Sequence, residues 1–440
     1  MNEADHDRTL PWYRDLTRRH WLLLGVAWLG WVFDLMDVYL LVLYKQSIMR
    51  DLLGGAAADP KAVDLYSGYA LSLTLVGWSV GGLVFGIVAD RWGRTRTMAL
   101  TILLYSLFTG LAGFTQTWGQ FAACRFLAAL GIGGEWGSGA SMIAEVFPRR
   151  SRAIAAGIMQ SASASGFFAA TFLFWGLSAW APGEAEWRWA FFIGATPAFL
   201  ALVVRAGLHE PEAWTAARAR AQTDLKARLG SLAALFGEPE LRRRTLVATG
   251  LALTGIFAYW GTAFWAPESL KDLLGRTVDD PALRKGLQAR GILCTHLGAL
   301  AGFLLFIPLA QRFGRKPAFA AFHLGSLIAV PAAFLFAGSY AAWIALFVVA
   351  AIFTNGIFSG YTICFPELFP TRLRATGAGF CYNVGRIVAA GGPVLMGWLK
   401  GAVDGVAVAG ALMGGVYVLG FLFLPALPET RGVDLDQELN

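Results

Sequence analysis

The sequence predicts an all-α membrane protein of about twelve spanning helices, arranged as two six-helix halves. Three observations predict it. The chain has 440 residues, of which 56% are hydrophobic and only 15% charged, whereas a soluble domain carries about 25% charged residues. Apolar runs of eighteen or more residues recur along the whole length, enough to cross a hydrocarbon core of about 30 Å at 1.5 Å per residue. The third observation is internal repetition. Glu145-Val-Phe-Pro148-Arg-Arg150-Ser-Arg152 returns as Glu367-Leu-Phe-Pro370-Thr-Arg372-Leu-Arg374, an offset of 222 (367 − 145). Arg91-Trp-Gly93-Arg94 returns as Arg312-Phe-Gly314-Arg315, an offset of 221 (312 − 91). Two echoes at nearly one spacing predict halves of like topology, with a site between them near the midplane.

The elements follow in order. Residues 1–20 are a polar, basic leader, expected in the cytoplasm, and residues 21–206 hold the first six spans. These are expected near 21–43, 66–89, 97–115, 118–146, 153–181 and 187–206. The segment 207–243 is charged and partly amphipathic and reads as a cytoplasmic linker of short surface helices. The second half, 244–426, repeats the pattern with spans near 244–266, 290–311, 317–337, 341–365, 375–400 and 404–426. Residues 267–289 read as the longest outside loop, and 427–440 as a cytoplasmic tail. The first apolar run is too long for the core of a cleavable signal.

Composition narrows the function classes. The 52 glycines suit close helix approach, and the 17 tryptophans suit interfacial anchoring. The net charge of +7 is concentrated in segments on the leader's side, the orientation bias of inner loops, so nucleic acid is not needed to explain it. Cys124, Cys294, Cys364 and Cys381 lie in apolar segments without metal-ligand spacing and read as small buried residues. Gly131-Ile-Gly133-Gly134 follows no strand, so it reads as a packing surface rather than a nucleotide loop. No metal and no cofactor is expected.

Charges at membrane depth carry the chemistry, because an ionisable side chain there is costly without a task or partner. Asp34 and Asp37 are three residues apart and share a helix face. Helical rise places both, with Glu135 and Arg386, about 17–24 Å from the inner ends of their spans. A carboxyl group held there without a cation is cheaper protonated than charged, so it can load a proton on one side and release it on the other. Asp34, Asp37 and Glu135 are therefore expected to couple protons, the alternative being structural ion pairs. Arg386 is expected to hold an anion, since a guanidinium forks onto a carboxylate, and Asn383 can add an amide donor. An interhelical pair is the alternative for Arg386. Asn355, Tyr259 and His296 are expected to contribute to the substrate site. His296 and His323 are each alone in their segments. Asp90 can cap helix ends and pair with Arg94, Arg150 or Arg152.

The loop Gly86-Ile-Val-Ala-Asp90-Arg91-Trp-Gly93-Arg94-Thr-Arg96 resembles the signature of the major facilitator superfamily. Within that superfamily the chain resembles the sialate and monocarboxylate:proton symporters. The stretches are PWYRDLTRRHW (11–21), AWLGWVFDLMDV (27–38), GGEWGSGASMIAEVFP (133–148), WRWAFFIGATPAF (187–199), HEPEAW (209–214) and GFCYNVG (379–385). The tail PETRG also resembles sugar porters. The resemblance implies an inner-membrane symporter that takes up an organic acid anion with protons by alternating access. It implies that Arg125 takes part in proton transfer or a structural salt bridge. It implies that Asp90, Arg91 and Arg94 latch the cytoplasmic side, with Glu145–Arg152 and Glu367–Arg374 as equivalent latches in the two halves.

The expectation is thus a transporter, not an enzyme. Its partners are a small organic anion, protons and membrane lipid, and it acts as a functional monomer with both termini inside. The nearest rival is a proton-coupled sugar or polyol porter, and a more distant one is a membrane nutrient receptor that moves nothing.

Overall fold

The computed structural model describes residues 11–180, 186–223, 228–263, 265–403 and 405–432. Helix starts follow local chemistry. Thr117, Ser231 and Ser339 accept hydrogen bonds from the backbone N–H groups of Gln120, Ala234 and Ala342, each satisfying a first-turn donor that the helix cannot. The first half comprises α1 (Arg18–Leu52), α2 (Pro60–Trp92), α3 (Arg94–Ala112), α4 (Trp118–Val146), α5 (Arg149–Trp180), α6 (Glu186–Gly194) and α7 (Ala198–Gly207). Short helices α8 (Glu212–Thr223) and α9 (Leu232–Gly237) follow. The second half comprises α10 (Pro239–Ala263), α11 (Ala266–Thr277), α12 (Pro281–Phe313), α13 (Arg315–Phe336) and α14 (Tyr340–Glu367), then α15 (Arg374–Ala389), α16 (Gly392–Ala402), α17 (Gly405–Gly414) and α18 (Gly420–Phe423). No strand occurs among the described residues.

Among the described residues, nine spans are long and apolar enough by themselves to cross a membrane. Three more complete the twelve. The fourth, α4, carries Arg125 and Glu135 and is buried from Ala128 to Ala144 apart from Leu130. The sixth is broken between α6 and α7, and the eleventh between α15 and α16. The outside of the bundle exposes large apolar side chains such as Phe172, Phe336, Trp398 and Leu422, the surface a lipid phase would cover. Two segments differ from expectation. Residues 267–289 are not a loop: α11 and the start of α12 occupy them, because α11 has an apolar face that buries Leu270 and Leu274. The second half begins helically at Pro239, within the segment read as linker.

The duplication read from two short echoes extends through the packing. In the first half α2 packs on α4, α3 on α4 and α1 on α5; in the second α12 packs on α14, α13 on α14 and α10 on α15. These are equivalent pairs under the offset. The halves meet through α2 against α15 and α5 against α12, which is again a symmetric pair.

Small residues permit these contacts. A Cβ built on Gly133 of α4 would lie 2.0 Å from the Trp78 carbonyl oxygen and 2.6 Å from the Gly82 nitrogen of α2, both backbone atoms that cannot rotate away. Gly133→Ala is therefore expected to push α2 and α4 apart at a cost of about 1–3 kcal/mol. It would be read as a lowered melting temperature in detergent. Unchanged melting would mean that the two backbones are less closely apposed.

Candidate functional site

One end of the bundle, which gathers the α2–α3 and α12–α13 turns with α8 and α9, is sealed by a charge network. Arg94 lies 2.9 Å from Asp90 and 2.8 Å from Glu145, and donates to the Thr371 carbonyl at 2.7 Å. Glu145 also reaches Arg374 of the other half at 3.1 Å. The Asp90 carboxylate accepts from the backbone N–H groups of Ala375 and Thr376 at 3.2 and 2.8 Å, at the start of α15. A carboxylate at a helix N-terminus is favoured by the unpaired N–H groups and the helix dipole. These contacts join the halves. Gln311, in the position equivalent to Asp90, makes the matching link, donating to the Arg150 carbonyl at 3.2 Å.

The second copy of the network uses residues that sequence reasoning passed over. Arg315 pairs with Glu367 at 2.9 Å, the counterpart of Arg94 with Glu145. Arg374, expected opposite Glu367, reaches Glu145 across the interface. Glu210 accepts from the N–H groups of Arg94 and Arg96, and Glu429 from those of Arg315 and Lys316, so one glutamate caps α3 and its equivalent caps α13. Gly93 and Gly314, at φ +124° and +103°, turn the chain into these helices. A Cβ there would be strained and would lie within 2.6 Å of the capping glutamate. The signals for Glu210 and Glu429 were visible as HEPEAW and PETRG, but only the fold places both at equivalent helix starts. Arg91 points elsewhere, donating to the Leu229 carbonyl at 3.2 Å. The Arg152 side chain is half-buried, with further contacts at this end.

Deeper in the bundle the four proton-coupling candidates separate into two pairs. Arg125 grips Asp37 bidentately at 3.1 and 2.9 Å, and Thr109 donates to the same carboxylate at 2.8 Å. All three side chains are buried. Asp34, one turn away on the same face, is instead the neighbour of Glu135, which packs against Gly30 so closely that no Cβ fits there. Asp34 and Glu135 are 0% and 1% exposed, and no cation pairs with either among the described residues. Two adjacent carboxyl groups without a cation are costly to charge together in a low dielectric.

Breaking the Asp37–Arg125 pair strands a buried charge. Asp37→Asn or Arg125→Gln alone is expected to cost about 3–5 kcal/mol, and the double variant less than the sum. Melting of the three variants would test this. Additive losses would show that the pair contributes no coupling.

Arg386 is a third kind of charge. It is 5% exposed on α15 and donates to the Asn383 oxygen at 2.9 Å. Its guanidinium lies over the Trp78 ring at 3.9 Å and the Tyr382 ring at 4.7 Å. Tyr382 stacks at 4.2 Å on Trp136, the neighbour of Glu135. No carboxylate pairs with Arg386 among the described residues.

Trp78 also forms part of a cavity of about 280 Å³ between the halves, which extends from Trp78 to Trp343, towards the end opposite the charge network. Tyr259, His296 and Asn355 line it as well. The walls are mostly apolar and aromatic, with Tyr39, Phe167, Phe334 and Phe347 prominent. Tyr39, Phe167 and Phe168 surround the His296 ring at 5.0–6.1 Å, and its Nε2 has no partner. The hydroxyls of Thr74, Thr262, Thr295 and Thr354 donate to carbonyls of their own helices, as does the Asn355 amide. Gln160, unremarked in the sequence, links the two halves. Its amide oxygen accepts from Trp136 and from Thr362 of the other half, while its NH₂ donates to Ser163. No group of His, Cys, Asp and Glu suited to a metal occurs among the described residues.

A protein-family model described as Major Facilitator Superfamily matches residues 26–284, and one described as Sugar (and other) transporter matches residues 225–438. The chain is 32% identical to a Haemophilus influenzae protein described as "Putative metabolite transport protein", over 88% of this chain and 93% of that one. It is 30% identical to the "Probable 4-methylmuconolactone transporter" of Cupriavidus pinatubonensis, over 83% and 82%. It is 26% identical to the sialic acid transporter NanX of Escherichia coli, over 89% and 90%. Among solved structures it is similar to the proton:xylose symporter XylE bound to 6-bromo-6-deoxy-D-glucose. The TM-score is 0.75 at 19% identity, covering 95% of this chain and 98% of that one.

Proposed function

The chain belongs to the Major Facilitator Superfamily of membrane transporters, and from that premise we propose that it carries a small organic acid anion together with protons. The observation that supports this reading is the distribution of buried charge. Asp37 is neutralised by Arg125, whereas Arg386 is left, among the described residues, with the Asn383 amide oxygen and the Trp78 and Tyr382 side chains, the Tyr382 hydroxyl included. A buried cation without an anion is costly. A substrate carboxylate arriving beside Trp78 would supply one, in the bidentate geometry a guanidinium favours. The Asp34–Glu135 pair, free of any cation, is the proton carrier of this reading, and Arg125 holds Asp37 in place.

The cavity wall favours a particular kind of acid. A sugar or a sialate presents many hydroxyls, each needing a partner once desolvated. Here the threonine hydroxyls and the Asn355 amide already donate to backbone carbonyls. A monocarboxylate with a flat apolar body suits the aromatic walls better than a polyol does. The relatives include a sialic acid transporter and a probable 4-methylmuconolactone transporter, so both kinds of substrate belong in the test.

In this reading the sealed, basic end faces the cytoplasm of an inner membrane, with both termini inside. Asp90, Arg94, Glu145 and Arg374 form the closed latch, with Glu367–Arg315 as its counterpart in the second half. The two halves rock about the central site, a single chain being the working unit in lipid.

The test is uptake by purified protein in liposomes across an imposed pH gradient. The panel holds benzoate, lactate, N-acetylneuraminate and a neutral hexose. Accumulation of an acid only with the outside acidic supports the reading. Hexose accumulation indifferent to Arg386→Gln would sink it.

A further inference from the structure

Trp78 stands where the cavity and the buried cation meet. It is 3% exposed, it lines the cavity, and its indole ring lies 3.9 Å from the Arg386 guanidinium. Its other ring neighbour is Trp31, at 6.1 Å. Trp31 Nε1 donates to Ser163, and Trp136 Nε1 donates to Gln160. Trp78 Nε1 is buried and has no acceptor. A buried indole N–H normally finds one, and the described residues offer none here.

The surroundings define what the missing acceptor must be. Stacking on a guanidinium occupies its face and leaves the in-plane N–H donors at its edge. One of these is used by Asn383. A ligand that meets the remaining donors therefore arrives in the guanidinium plane, along the rim of Trp78, with acceptor oxygens leading. The rest of such a ligand lies in the apolar cavity.

We propose that Trp78 is a substrate-binding and specificity-determining residue: its indole N–H donates to the carboxylate of a planar monoanion while its ring holds the Arg386 guanidinium edge-on to the same carboxylate. The proposal rests on the reading that Arg386 receives an anion and adds the second donor and its ring support. It assigns Trp78 two separable tasks. The N–H supplies a charge-assisted hydrogen bond. The ring supplies orientation through the cation–π contact.

The two tasks separate in two variants, Trp78→Phe and Trp78→Leu, each tested with benzoate as the probe in ligand-dependent thermal stabilisation and direct binding. Trp78→Phe keeps a ring over Arg386 and loses the N–H, and is expected to weaken benzoate binding about tenfold. Trp78→Leu loses both and is expected to weaken it about a hundredfold. A spectroscopic readout is independent of any change in stability. In protein labelled with 5-fluorotryptophan, the ¹⁹F resonance that is missing in Trp78→Phe should move on adding benzoate and stay still on adding benzamide. Benzoate binding by Trp78→Phe equal to wild type, or a resonance that benzoate leaves unmoved, overturns the assignment of Trp78 while leaving the anion site intact. Failure of the wild-type protein to bind benzoate overturns the planar-monoanion proposal, and benzoate binding that survives Arg386→Gln overturns the anion reading itself and the proposal with it.

Discussion

Arg386→Gln is expected to abolish accumulation of the anion while leaving the empty protein as stable as before or more so. Both parts follow from one observation. The guanidinium is buried without a carboxylate partner among the described residues, so it is a desolvated charge whose removal takes away a cost rather than a bond. Truncating one partner of a buried charge pair in a complex costs about 2–5 kcal/mol, roughly thirtyfold to several-thousandfold in affinity. The measurements are melting of the empty protein and uptake in liposomes. A strongly destabilised Arg386→Gln protein would instead mark Arg386 as a structural ion-pair member. Asp37→Asn serves as the contrast: that carboxylate is already paired, so its loss should lower stability first.

Glu135→Gln is expected to uncouple transport from the proton gradient without stopping movement of substrate. In the proposed reading the Asp34–Glu135 pair takes up a proton on the acidic side as the monoanion binds and releases it on the other. Each pH unit supplies about 1.4 kcal/mol per proton, enough for about tenfold accumulation at one-to-one coupling. Glu135→Gln removes one of the two titrating groups and the repulsion between them. Accumulation should therefore fall to simple equilibration at every imposed gradient, while exchange of labelled for unlabelled substrate continues. Gradient-driven accumulation at the wild-type level in both Glu135→Gln and Asp34→Asn would exclude this pair as the proton carrier.

Much of this architecture was legible before any coordinates. Helical spans announce themselves by length and hydropathy, and α4 was recognisable despite Arg125 and Glu135 because the apolar run around them is long enough to cross. The two echoes located the α2–α3 and α12–α13 turns and the ends of α4 and α14. Segments 267–289 and 239–243 were less legible. Their charged residues read as loop and linker, but helix α11 needs only a narrow apolar face to dock, and α10 starts in the polar layer before its apolar run begins.

The site was legible as an inventory of charges at depth and illegible as a set of partners. Asp34 and Asp37 share one face of α1, and nothing local tells them apart. Their different surroundings come from α4, where Arg125 and Glu135 lie ten residues apart (135 − 125), nearly three helical turns. Glu145 and Arg374 sit in different halves and meet only because the end of α4 and the start of α15 lie side by side at the sealed end. Trp78 and Gln160 carried no charge to draw attention, and their importance lies wholly in what surrounds them.

The sequence by itself determined the membrane class, the twofold repetition and the depth of each buried charge, because these depend on rise per residue and on the cost of leaving water. Only the tertiary structure decided which charges cancel. Pairing depends on contacts of a few ångströms between helices far apart in the chain, and in a low dielectric those contacts separate a neutralised Asp37 from a carboxyl pair and an arginine that, among the described residues, have no partner of opposite charge.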